Sequence, residues 1–135
     1  MKTSLILTVF NEGDTIRTLL DSIRNQKIAP DEVIIVDGGS KDETVIEIKR
    51  FANRNSELNI KLFVKPGFNI SKGRNFAIDK ASGEIIFVTD GGCVLDKDWA
   101  ANLCESFGEE HTEIVGGMYE GVASGYFQRC MNKLT

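Results

Sequence analysis

No stretch of this 135-residue chain approaches the roughly 20 consecutive apolar residues that a membrane-spanning helix needs. The N-terminus has no signal-peptide pattern and runs straight into strand-like sequence. Basic residues are not in excess: 16 Lys and Arg against 20 Asp and Glu give a net charge of −4. A chain of that balance is not expected to bind nucleic acid, which needs a basic face. No run of like charge marks a tail, and there is no internal repeat or low-complexity segment. Cysteine is scarce, and Cys93, Cys104 and Cys130 have no zinc-type C-x-x-C spacing. These absences are read as a cytoplasmic protein with three reduced thiols. A reactive thiol at Cys93, and membrane attachment through a longer parent chain, stay open. There is no G-x-G-x-x-G, no Walker loop and no nucleophile elbow, which argues against dinucleotide oxidoreductases, P-loop NTPases and α/β-hydrolases. The one histidine, His111, lies in a polar stretch and reads as surface.

What is present suffices for one globular domain over 1–135. Hydrophobic residues make up 41% of the chain and charged residues 27%, enough apolar material for a core without disulfides or a structural metal. Strand-like and helix-like segments alternate. Leu5 to Phe10 and Glu32 to Val36 are near-continuous apolar runs, as strands buried on both faces require. Ile60 to Val64, Ile85 to Val88 and Ile114-Val115 predict three more strands. Between them, Ile16, Leu19, Leu20 and Ile23 form an i, i+3, i+4, i+7 stripe, with Asn11 as its expected cap. Ser40 and Glu43 read as a capping box for a helix through Val45, Ile48, Phe51 and Ala52. Ser71 opens a helix through Ala77, Ile78 and Ala81, stopped by Gly83. Asp96 opens one through Trp99, Ala100, Leu103 and Phe107, ended by Gly108. A final stripe runs through Tyr126, Phe127, Cys130, Met131 and Leu134. The fold class expected is α/β, Rossmann-like, with a mostly parallel sheet and helices on both faces.

In such sheets ligands bind beyond the carboxyl ends of the strands, so the polar clusters there carry the functional reading. Val36-Asp37-Gly38-Gly39-Ser40-Lys41-Asp42 puts a carboxylate at a strand tip before two glycines and a helix start. An exposed Asp37 suits a ribose hydroxyl or a base N–H; Ser40 and Asp42 also read as plain helix-start residues. In Thr8-Val9-Phe10-Asn11-Glu12, Phe10 can stack on a base or belong to the core, and Glu12 can face a ligand. In Thr89-Asp90-Gly91-Gly92-Cys93, Asp90 can hold a divalent ion or a ribose, or simply end a turn. Ser71-Lys72-Gly73-Arg74-Asn75 sets two cations at a helix start, where the helix dipole opposes them. A diphosphate would justify Lys72 and Arg74; so would solvation at the surface.

Taken in order, these clusters resemble the family-2 glycosyltransferases of the GT-A fold. That family carries a T-x-Y/F-N-E motif (here Thr8 to Glu12), V-D-D/G-G-S-x-D (Val36 to Asp42), and A-R-N-x-A-I with A-x-G-E (Gly73 to Ile78 and Ala81 to Glu84). A D-x-D-like motif follows (Asp90-Gly91-Gly92). Each is weak alone, but four in order over nearly the whole chain are specific. The resemblance implies a nucleotide-sugar donor site, with UDP the expected nucleotide, built from Thr8, Phe10, Asn11, Glu12, Asp37, Gly39, Ser40, Lys72, Arg74 and Asp90. Thr8 and Phe10 would lie against the base and Asp37 would bind uracil or ribose. Asp90 would take ribose and a Mg²⁺ or Mn²⁺ on the diphosphate.

Three departures qualify this. Gly38 stands where a second Asp is common. Gly92 stands for the second Asp of D-x-D, which weakens the metal site. The acceptor half and its general base are expected beyond Thr135, so 1–135 reads as the donor-binding half, inactive in transfer by itself. The reaction expected of the whole protein is transfer, with inversion, to a carbohydrate or lipid-linked acceptor. The rivals are a non-catalytic nucleotide-binding module and a sugar-nucleotidyltransferase. The latter needs a Gly-rich basic loop after the first strand, which Asn11-Glu12-Gly13 does not supply. The C-terminal stripe, left without an acceptor half to cover it, predicts a homodimer or a swapped C-terminal segment, with packing onto the same chain as the alternative.

Overall fold

The computed structural model describes residues 1–108 and 111–122. It contains β1 (Thr3–Val9), α1 (Ile16–Arg24), β2 (Glu32–Asp37), α2 (Thr44–Arg54), a single 3₁₀ turn at Ser56–Leu58, β3 (Ile60–Val64), α3 (Ile70–Lys80), β4 (Ile85–Asp90) and α4 (Trp99–Phe107). The four strands form one sheet in the order β3-β2-β1-β4, and every neighbouring pair is parallel. The expected α/β architecture is the observed one.

Alternation along the strands sorts the core into two layers. Leu5, Leu7, Val9, Val33, Ile35, Ile85 and Phe87 meet Ile16, Leu19, Leu20 and Ile23 of α1, Ile48 and Phe51 of α2, and Ala100 of α4. On the opposite face Ile6, Ile34 and Val36 pack with Ala77 of α3, backed by Phe63, Phe68 and Phe76. α3 lies over β1 and β2, so the outer residues of β4 on that face, Ile86 and Val88, stay exposed.

The direction in which strands are added to the sheet reverses at β1. From β1 the chain winds outward through β2 to β3, then returns to place β4 on the other side of β1. That reversal opens a crevice at the carboxyl ends of β1 and β4. The register sets Thr8 beside Asp90 there, and Val9 beside Asp37.

The opposite end of the sheet is closed by a buried carboxylate. Glu32, fully buried at the start of β2, accepts from Ser4 Oγ at 2.6 Å, Lys61 Nζ at 2.6 Å, and Ser82 N and Oγ at 2.7 and 2.8 Å. Burial alone pushes its pKa up. The Lys61 ammonium, the Ser4 hydroxyl and the two Ser82 donors outweigh that and hold it far below the usual carboxylate range.

Several local expectations are corrected. Asn11 does not cap α1: the helix starts five residues later, with Thr15 at its cap position. Ser40 and Glu43 form no capping box, and Glu43 stands at the cap of α2 without a side-chain bond. α3 is capped by Asn69, whose side chain accepts from Lys72 N, rather than by Ser71. Gly83 does not end α3. It packs against β1, where an added Cβ would come within 2.6 Å of Ser4 N. Ile114-Val115 is not a strand, and Ile114 is 88% exposed. The C-terminal stripe from Tyr126 lies outside the described residues. Among the described residues no helix is long and apolar enough to cross a membrane.

Candidate functional site

At the carboxyl ends of β1, β2 and β4, beside the start of α3, lies an open cavity of about 760 Å³, within the size range of small-molecule sites. Strand tips, the loop after β3 and the N-terminal turn of α3 together form its walls.

The floor depends on two loops being bonded to each other. Asp37 ends β2 and is fully buried. Its Oδ2 accepts from Gly39 N at 2.9 Å and Ser40 N at 2.8 Å, and its Oδ1 accepts from Ser40 Oγ. Ser40 Oγ in turn accepts from Asn11 N at 2.8 Å, and Asn11 Oδ1 accepts from Lys41 N at 2.9 Å. Asn11 reaches these partners through a left-handed backbone, φ 52°, a conformation that asparagine tolerates better than most residues. Asp42 continues the seam, accepting from Gly13 N at 2.9 Å and from the Thr44 hydroxyl and N–H. The Thr44 hydroxyl first, then the N–H groups of Thr44 and Gly13, hold the Asp42 carboxyl below its ordinary value.

This seam corrects the reading of Asp37 as an exposed strand-tip acid. Its carboxylate is buried and committed to the turn, so Asp37, Gly39, Ser40 and Asn11 shape the site rather than line it. Gly39, at φ +97°, makes the turn that places the two N–H donors on Asp37.

The lining itself includes Thr8, Phe10 and Glu12 at the end of β1 and beyond it, Asp90 and Gly91 at the end of β4, and Gly38 after β2. Phe10 is 57% exposed, a ring with one open face over the cavity. Gly38 allows Phe68 and Phe10 to close in on the β2 turn: a Cβ there would stand 2.7 Å from Phe68 O and 3.6 Å from the Phe10 ring. Glu12 lies against Gly91, where a Cβ would meet its carboxylate at 2.9 Å. Its Oε2 accepts from Thr15 Oγ1 at 2.8 Å.

Of one further wall the sequence marked only the last residue, Ser71. Gly67, Phe68, Asn69, Ile70 and Ser71 line the cavity. The available signal was the Pro66-Gly67 turn followed by an Asn cap, at the carboxyl end of a strand. Gly73, buried and also lining the cavity, sets the helix against β1: a Cβ there would meet Thr8 Cγ2 at 2.6 Å. The N-terminal turn of α3 therefore presents its dipole and unpaired N–H groups to the cavity, a natural seat for an anion.

Of the two cations at the start of this helix, Lys72 is exposed, and neither it nor Arg74 lines the cavity. Arg74 is half-exposed and donates through Nη2 to Asp90 Oδ1. Its Nε–H is buried and has no acceptor among the described residues.

Asp90 and Glu12 offer hard carboxylate oxygens to one cavity, which suits Mg²⁺ or Mn²⁺. Among the described residues no three acidic, His or Cys side chains cluster to hold an ion unaided. The protein fits an ion only if a ligand or water completes the shell.

The model of the family described as glycosyl transferase family 2 matches residues 4–132. The O-antigen chain rhamnosyltransferase RfbN of Salmonella typhimurium is 35% identical over 111 residues, which is 81% of this chain and 34% of that protein. A mannosyltransferase from Pyrobaculum calidifontis, solved in complex with GDP-Man and Mn²⁺, superposes with a TM-score of 0.75 at 27% identity, covering 80% of this chain and 32% of that one. TarS 1–349 of S. aureus, solved with UDP-GlcNAc, gives a TM-score of 0.72 at 28% identity, covering 82% of this chain and 32% of that one. The chain thus spans about a third of the length of the relatives it matches.

Proposed function

Starting from a chain that belongs to glycosyltransferase family 2, we propose that its cavity is the donor site of a nucleotide-sugar-dependent transferase, with UDP as the nucleotide. One observation carries this reading: an exposed aromatic ring, a helix N-terminus and a strand-end carboxylate surround a single cavity at the point where the strand order reverses. These are the three chemistries that a base, a diphosphate and a ribose or its metal ion require. The base stacks on Phe10, with Thr8 and the Gly38–Phe68 wall closing the pocket around it. The diphosphate lies at Ile70 and Ser71, within reach of the Arg74 charge, and Lys72 adds a screened positive field. Asp90, with Glu12, takes ribose or the oxygens of a Mg²⁺ or Mn²⁺ shell. Asp37, Gly39, Ser40 and Asn11 act through the loops they hold.

The family neighbour solved with Mn²⁺ supports a metal in this role. When bound, the ion neutralises charge that builds on the leaving diphosphate. Everything else here is positioning: Phe10 fixes the base, the α3 terminus fixes the phosphates, and the anomeric carbon is turned toward the open side of the cavity. In the whole protein an acceptor hydroxyl on a carbohydrate or lipid carrier, deprotonated by a carboxylate outside this chain, displaces the nucleoside diphosphate in one step with inversion.

Calorimetry with UDP and UDP-sugars tests the reading. Binding of UDP that Phe10→Ala weakens in a stably folded chain is the expected result; no detectable binding of any nucleoside diphosphate refutes it.

A further inference from the structure

We propose that Arg74 is an internal counter-ion that a nucleoside diphosphate draws away from Asp90, so that divalent cation and nucleotide bind this chain with positive coupling. The proposal rests on the reading of the cavity as a nucleotide site. Asp90 ends β4 beside Thr8 and lines the cavity. In the ligand-free chain its Oδ1 already accepts from Arg74, so the carboxylate that would meet a metal ion is occupied by a cation of the protein itself.

Three features make this pairing exchangeable. The two side chains are 39% and 46% exposed, and an ion pair that open to water is weakly held. The pairing leaves Arg74 short of a partner, because among the described residues its buried Nε–H has no acceptor; a buried donor left unmet is a standing penalty. Position is the third. Arg74 follows Ile70 by four residues on α3, and residues at that spacing share a helix face. Ile70, Ser71 and Asp90 line the cavity and Arg74 does not, but its bond to Asp90 sets the guanidinium at the cavity's edge, near a diphosphate seated at that helix end. A phosphate offers the paired oxygens that a guanidinium fork matches better than a single carboxylate oxygen.

Nucleotide binding then frees Asp90 as Arg74 turns to the phosphates. The cation that follows meets an unpaired carboxylate instead of a neutralised one. By linkage, each ligand tightens the other by the same factor. The diphosphate's own oxygens can also ligate the ion, and that alone would couple the two ligands. The distinguishing quantity is therefore the affinity for the ion with no nucleotide present.

Free Mn²⁺ is followed by electron paramagnetic resonance while the 135-residue chain is titrated alone, with UDP, and with uridine. Wild type should bind Mn²⁺ weakly alone, on the order of tenfold more tightly with UDP, and no more tightly with uridine. Arg74→Gln should bind Mn²⁺ alone on the order of tenfold more tightly than wild type and gain less from UDP. Arg74→Lys, which keeps the charge, should stay as weak as wild type, and Asp90→Asn should lose the ion in both backgrounds. A folded Arg74→Gln chain with unchanged affinity for Mn²⁺ alone overturns the proposal while leaving the nucleotide site standing. Failure of wild type to bind UDP, with or without Mn²⁺, sinks the nucleotide reading instead. Should Arg74→Gln not fold, the ¹⁵Nε resonance of Arg74 in wild type decides. It must shift when UDP is added in EDTA, and an unmoved resonance in a UDP-saturated chain overturns the proposal.

Discussion

Replacing Asp37 by alanine separates a scaffold role from a ligand-contact role at the residue that the sequence marks most strongly. The carboxylate is fully buried and accepts from Gly39 N at 2.9 Å, Ser40 N at 2.8 Å and Ser40 Oγ. Hydrogen bonds to a charged acceptor are each worth about 1.5–3 kcal/mol, and three on one carboxylate are not additive. After truncation the N–H groups of Gly39 and Ser40, which are half-buried, recover part of the loss from water. About 3 kcal/mol of lost folding stability is the expected net, a large share of the roughly 5–15 kcal/mol that holds a domain together. Urea denaturation measures it as a lowered midpoint at unchanged slope. Release of Ser40 also releases Asn11 N, so the loop carrying Phe10 loosens and nucleotide affinity falls with stability. Asp37→Asn, which keeps an acceptor but not the charge, should lie between wild type and alanine. A variant with undiminished stability whose UDP binding is abolished would refute the scaffold role and return Asp37 to the ligand.

Phe10→Ala should behave oppositely: the ring is 57% exposed, so stability changes little, while UDP affinity drops by roughly 1–3 kcal/mol, the worth of stacking one base on an aromatic ring. Equal affinity by calorimetry would remove Phe10 from the site. Gly73→Ala forces a methyl to 2.6 Å from Thr8 Cγ2. Overpacking of that kind costs about 1–3 kcal/mol, and the displaced α3 terminus should weaken UDP binding as well; thermal melting and calorimetry read both. Glu32 has a folded pKa held far below the ordinary carboxylate range, so its stabilisation is complete above that range and drains away as pH falls through it toward the lowered value. Glu32→Gln should therefore flatten the acid limb of the stability–pH profile, and Lys61→Ala should cost about 1–3 kcal/mol at neutral pH through loss of a charged hydrogen bond. An acid limb of wild-type steepness in Glu32→Gln contradicts the assignment.

The strands were legible because burial on both faces writes itself into composition. Leu5 to Val9 and Val33 to Val36 are apolar almost without interruption and are the most enclosed segments of the sheet. Helix interiors were legible for the same reason: Ile16, Leu19, Leu20 and Ile23 are all buried. Helix starts were not. Asn11 and Ser40 are good capping residues anywhere, but their partners here lie about thirty positions away across the β1 and β2 loops, and no local pattern reports such a bond. Ile114-Val115 has strand propensity but no neighbouring strand to pair with among the described residues, and propensity alone does not make a ladder.

In the site, Thr8, Phe10, Glu12 and Asp90 were found because each stands at or just beyond the carboxyl end of a strand, and all four line the cavity. Asp37 was placed correctly at a strand tip but not in its burial, which depends on a turn folding back over it. The Arg74–Asp90 pair spans sixteen positions and exists only because β4 returns beside β1, on which α3 packs. The wall from Gly67 to Ile70 went unnoticed because its strand, β3, is at the sheet edge and its loop carries little charge.

Mapping amide chemical shifts during a UDP titration tests the central claim most directly, and a chain of 14.9 kDa suits the method. Saturable shifts should concentrate at Thr8, Phe10, Gly38, Phe68 to Ser71 and Asp90-Gly91. The far end of the sheet around Ser4, Glu32, Lys61 and Ser82 should stay still. Shifts centred on that far end, or none anywhere at saturating UDP, would contradict the account.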